Sequence, residues 1–82
     1  MWHLLTKLGT FWIADAKEEN QDNVDKFVLG LNDETLGIYN KVDDALTDIQ
    51  AHTTGNLDWD SQSRLRAPAS LKEWNQGEPK GW

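Results

Sequence analysis

The apolar positions of this chain fall in short runs broken by polar turns, and their spacing changes midway. Trp2–Thr6 and Thr10–Asp15 read as strands, joined through Lys7, Leu8 and Gly9 by a connection of hairpin type. Residues 16–25, AKEENQDNVD, carry almost no apolar side chains and read as an exposed acidic loop. A third strand follows at 26–32, rich in Phe, Val and Leu. Asn32 to Thr35 supply turn chemistry, because Asn and Asp tolerate the left-handed region and bond their own backbone. Leu36–Asn40 reads as a fourth strand. Connections this short suit antiparallel neighbours, since a parallel crossover needs a dozen or more residues.

The period then lengthens. Val42, Ala45, Leu46 and Ile49 lie at i, i+3, i+4 and i+7, one helical stripe, with Asp43, Asp44, Asp48 and Gln50 off it. This predicts a helix over about 41–53. Asn40 is the expected N-cap, and Gly55 the expected residue past the C-terminus, where positive φ is needed. The stripe is expected to meet Phe11 or Trp12, Ile13, Phe27 or Val28, Leu29 and Ile38.

Beyond the helix, NLDWDSQSRLR (56–66) alternates with period two. Leu57, Trp59, Ser61, Ser63 and Leu65 fall on one side, and Asp58, Asp60, Gln62, Arg64 and Arg66 on the other. The pattern predicts a further strand or a hairpin broken near Ser61–Gln62, with the aspartates and arginines in cross-strand pairs. Pro68 opens a last short helix, where Ser70 and Glu73 have capping-box spacing and Leu71 and Trp74 share a face. Residues 76–82 read as a loose tail. The expected fold class is α+β. One small domain over 1–82 has an antiparallel sheet of four or five strands, one main helix on one face and a short C-terminal helix.

Composition narrows the chemistry. Eighty-two residues make a small core in which each large apolar side chain counts. The absence of cysteine removes disulfides, thiolate metal sites and a cysteine nucleophile, and suits a reducing compartment. No apolar run approaches the ~20 residues of a membrane helix, and the N-terminus lacks the layout of a secretory signal. The expectation is a soluble, cytoplasmic protein. The net charge of −6 is uneven: residues 1–60 carry a net −8 and residues 61–82 a net +2. Phosphates are repelled by such a surface, which argues against direct nucleic-acid binding.

Candidate chemistry is sparse. Asp58 and Asp60 have the D-x-D spacing of some cation sites, but a calcium loop starting at Asp58 needs Gly and Glu where Ser63 and Ala69 stand. A solvated strand face accounts for them better than a paired-carboxylate site. Arg64 and Arg66 are read as their strand partners, or as a pair that recognises a carboxylate or phosphate. His3 and His52 lie in different elements without catalytic spacing, and the glycines form no phosphate loop. Five tryptophans are many for this length. Trp12 is expected in the core, Trp59 and Trp74, with Trp2, over its open end, and at least one tryptophan partly exposed for a partner.

These residues point to a non-enzymatic, cofactor-free module that binds another protein or a second copy of itself. Trp59, Trp74, Asp58, Asp60, Arg64 and Arg66 are the candidate partner-binding residues, and free strand edges are a further route. Two other readings are a small-ligand or carbohydrate site made by exposed tryptophan and carboxylates, and an acidic mimic that occupies a nucleic-acid-binding protein.

Overall fold

The computed structural model describes residues 1–16 and 26–79; the acidic stretch 17–25 and residues 80–82, with Trp82, lie outside the described residues. Five strands, β1 (Trp2–Thr6), β2 (Gly9–Asp15), β3 (Phe27–Leu31), β4 (Glu34–Tyr39) and β5 (Asn75–Gln76), form one antiparallel sheet in the order β4-β3-β2-β1-β5. The main helix, α1, spans Val42–Ala51. The α+β class is as the patterning predicts.

Register decides which strand residues meet the helix. Ile13 sits opposite Trp2 and Leu29, and Phe11 opposite Leu4 and Leu31. Alternation therefore sends these side chains to one face. There they pack with Ala45, Leu46 and Ile49 of α1 and with Trp59, Ala67 and Trp74. A register shift between Leu29 and Gly30 lets both Leu36 and Tyr39 of β4 reach this core. The Tyr39 hydroxyl donates to Asp48 Oδ2 at 2.7 Å, fastening β4 to α1. Burial first, then this hydrogen bond to an anion, push the Tyr39 phenol well above its ordinary range.

Two expected core residues belong to the opposite face. Trp12 is half-buried there and packs with Ala14, Ala16 and Val28, while Ile38, opposite Val28, is 47 % exposed. In continuous apolar strands hydrophobicity alone does not fix parity. Trp12 lies close over Gly30, where any Cβ would overlap the indole ring, and its Nε1 donates to Asn32 O at 2.8 Å.

The ends of α1 also depart from expectation. Lys41, not Asn40, stands at the N-cap with no side-chain bond, and Asp43 and Asp44 supply the favourable charge in the first turn. At the far end His52, not Gly55, takes the left-handed conformation at φ 56°. Thr53 N donates to Asp48 O and His52 N to Ile49 O, the two bonds of a Schellman motif.

The largest correction concerns 56–66. The segment is not extended: Leu57–Asp60 forms a single helical turn, α2, followed by turns through Ser61–Arg64. Asn56 is its N-cap, its Oδ1 accepting from Trp59 N at 2.9 Å. Leu57, expected to be hidden, is 82 % exposed, and Trp59 is fully buried. The fifth strand comes from Asn75–Gln76, so Gln76, expected to start the loose tail, is paired with Trp2. Gly77 N donates to Met1 O at 2.7 Å, and Pro79 is buried. The expected short helix is a 3-10 turn at Leu71–Glu73, with Ser70 Oγ accepting from Lys72 N. No helix among the described residues is long and apolar enough to cross a membrane.

Candidate functional site

The six nominated residues do not form one site. Trp59 is enclosed: its ring meets Phe11 edge-on at 4.9 Å between centroids and stacks on His52 at 4.9 Å, and its Nε1 donates to Ile49 O. Trp74 is 6 % exposed and also packs near Phe11. Both tryptophans are buried in the core.

The two aspartates separate once the backbone coils. Asp60 turns back over the preceding loop, accepting from Thr54 N (3.0 Å), Thr54 Oγ1 (2.8 Å) and Gly55 N (2.9 Å). Burial raises this carboxyl, but the bonds from Thr54 and Gly55 and the charge of nearby His52 outweigh it and hold Asp60 below its ordinary value. Its acceptor capacity is engaged in closing the loop. Asp58 is exposed and faces a polar hollow of about 590 Å³ shared with Leu8, Leu31, Asn32, Asp33, Glu34 and Asn56. Among the described residues no group of three or more His, Cys, Asp or Glu side chains is arranged to hold a metal ion.

The arginines part as well. Arg64 is exposed in the turn after α2. Arg66 belongs to an irregular stretch that runs past β1, and with Leu65 and Pro68 it forms one wall of a groove of about 500 Å³. The other wall is Leu4, Leu5, Thr6 and Lys7, with Trp59 also lining the cavity. The wall opposite β1 is held from beneath by α1: Gln50 Nε2 donates to Ala67 O, and His52 Nε2 lies 2.9 Å from Leu65 O. His52 Nδ1 lies 2.8 Å from Trp59 O. Both carbonyls can only accept, so a neutral ring serves one of them and an imidazolium serves both.

The β1 wall is a partly vacant sheet edge. In an antiparallel ladder alternate residues turn their backbone groups to opposite neighbours. Met1 and His3 face β5, as the bond from Gly77 N to Met1 O and the His3–Asn75 pairing record. Leu5 is next in that series. Continuing the ladder would set residue 73 against it, but there the chain is already coiled into the 3-10 turn. Pairing with β5 stops at His3, and Leu5 presents its N–H and C=O outward, its side chain 75 % exposed. The adjoining turn is tied by its own side chain: Thr6 Oγ1 donates to Gly9 O at 2.8 Å and accepts from Leu8 N at 3.2 Å.

Of the predicted site residues, only Arg66 and the enclosed Trp59 line this groove. Sequence reasoning missed Lys7, Leu65, Pro68 and the edge at Leu5. The available signal was the local swing from an acidic first sixty residues to a basic remainder. Comparison of the chain with known protein families, curated proteins and solved structures finds no match.

Proposed function

We propose that this protein is a small non-enzymatic module that binds another protein by accepting an extended segment along the vacant part of β1. The observation that carries the reading is the conjunction at Leu5: backbone groups unpaired among the described residues, beside a preformed, largely apolar groove. Strand addition uses this pair of features, main-chain bonds giving affinity and a side-chain cavity giving selection. An edge left open is otherwise a liability for a soluble chain. Here it is short and walled by Leu65 and Pro68, which suits one specific strand better than open-ended pairing. A cysteine-free chain loses nothing in a reducing compartment, and the cytoplasm is the location assigned with this reading.

Leu5→Pro tests it. Proline removes the outward N–H, which has no partner among the described residues, and is tolerated at a sheet edge. The variant should keep its near-ultraviolet circular dichroism and lose proteins that the unmodified chain retains in quantitative affinity enrichment. Equal retention by a folded Leu5→Pro variant would remove the edge from the account. Light scattering against concentration tests the self-associating version, in which the accepted strand comes from a second copy.

A further inference from the structure

Resting on the strand-addition reading, we infer that the segment accepted by β1 is acidic. It is an extended peptide that sets an apolar side chain into the groove and side-chain carboxylates against Lys7 and Arg66.

Charge favours an acidic segment. The chain carries −6 overall, yet the groove is lined by two cations and no carboxylate among the described residues. Both Lys7 and Arg66 are exposed, so neither is neutralised by burial. They come from opposite walls, Lys7 from the turn that ends β1 and Arg66 from the stretch pinned to α1. A strand laid along Leu5 in line with β5 passes between them. Alternation in that strand turns successive side chains to opposite faces. One set enters the apolar groove at Leu4, Leu65 and Pro68, and the flanking residues lie within reach of the two long cationic side chains.

The placement also excludes the opposite chemistry. A basic segment meets Lys7 and Arg66 as like charges at close quarters, and such juxtapositions reject wrong partners. The acidic hollow lined by Asp33, Glu34 and Asp58 repels an acidic peptide. Selectivity then comes from two cations beside an apolar groove in a chain of net negative charge. The backbone on either side of Arg66 is tied to the end of α1: Leu65 O lies 2.9 Å from His52 Nε2 and Ala67 O accepts from Gln50 Nε2, so the main chain that presents Arg66 is restrained.

The test uses fluorescein-labelled peptides about nine residues long, long enough to span the edge, with valine alternating with glutamate, glutamine or lysine. Termini are blocked, so that only side-chain carboxylates are sampled. Fluorescence anisotropy with the full chain should rank glutamate above glutamine by about tenfold, the size expected of two exposed ion pairs, with lysine weakest. The gap should narrow in about 0.5 M salt. Lys7→Glu combined with Arg66→Glu should reverse the ranking in favour of lysine, and Leu5→Pro should weaken all three. Equal binding of the glutamate and glutamine peptides, abolished by Leu5→Pro, overturns the acidic specificity and leaves strand addition standing. Failure of all three peptides to bind overturns both. A glutamate preference that survives the double charge reversal places the attraction elsewhere and overturns the inference. So does a concentration-dependent dimer, seen by light scattering without peptide and lost in the charge-reversed variant, because the groove then belongs to a second copy.

Discussion

Replacing Asp60 by alanine should destabilise the fold far more than a half-exposed aspartate ordinarily does. The carboxylate accepts three hydrogen bonds, two of them from Thr54, which is 4 % exposed. Gly55 is exposed, and water replaces the lost acceptor at its N–H. Thr54 has no such recourse. A buried donor left without a partner costs about 1–3 kcal/mol, so two on one residue, partly relieved by rotation of the hydroxyl, give a loss of about 2–4 kcal/mol. Set against the order of 5 kcal/mol expected for a domain of this size, that is a large part of the total. Asp60→Asn keeps one acceptor oxygen and should lose about half as much. Urea unfolding followed by tryptophan fluorescence measures both, because Trp59 is buried one residue away.

The sign with pH follows from the lowered folded-state pKa. A carboxyl more acidic in the folded than in the unfolded chain stabilises fully above its unfolded value. That contribution is lost as pH falls through the folded value. The difference between the unmodified chain and Asp60→Asn should therefore stay flat from neutral pH downward and shrink below roughly pH 4. A double-mutant cycle with Thr54→Val separates loop closure from a general charge effect and should return a coupling of about 1 kcal/mol. An Asp60→Ala variant within about 0.5 kcal/mol of the unmodified chain, additive with Thr54→Val, would mean that Asp60 does not hold this loop closed.

Substitutions at four further positions test the packing. Trp74 Nε1 is buried with no partner among the described residues, so Trp74→Phe relieves an unmet donor while losing volume and should unfold in urea within about 1 kcal/mol of the unmodified chain. Trp59→Phe loses the bond to Ile49 O and should cost at least about 1 kcal/mol more than the Trp74 change. Gly30→Ala drives a methyl group into the Trp12 ring; a loss of about 1–3 kcal/mol with red-shifted tryptophan emission is expected as the ring gives way. His52→Ala should be less stable than His52→Gly by about 1 kcal/mol, read by thermal unfolding, because both lose the carbonyl contacts and only glycine sits without strain at φ 56°.

Much of the architecture was legible because it depends on local period. The stripe Val42, Ala45, Leu46, Ile49 specifies a helix in any surroundings, and Gly9 and Asn32 mark turns in the places the apolar runs require. Parity was not legible. Phe11 and Trp12 are equally apolar neighbours, and nothing in their pattern says that Trp12 lies over Gly30 on the second face. The strand expected at 56–66 failed for a related reason. Of the large apolar residues in its alternation, Leu57, Trp59 and Leu65, only Trp59 is fully buried, and a single anchor has no period. The competing signal was capping chemistry: Asn56 three residues before Trp59, and Asp60 close enough to bond back to Thr54 and Gly55. These bonds satisfy backbone donors at once, whereas a lone strand gains nothing until it finds a neighbour.

That misreading also hid the groove. As a strand, Leu65 and Arg66 would lie on opposite faces of a sheet. As an irregular stretch tied to α1, they stand together beside β1. What places them is His52, a residue the Schellman turn holds in a conformation more natural to glycine. Glycine at position 52 would end the helix equally well, but it has no ring to reach Leu65 O or to stack on Trp59. The strained turn and the open edge are therefore linked: the side chain that makes this helix end costly is the one that fixes the wall facing Leu5. If the groove binds a strand, His52→Gly should weaken that binding more than it lowers stability. A folded His52→Gly variant with undiminished peptide affinity would separate the two features.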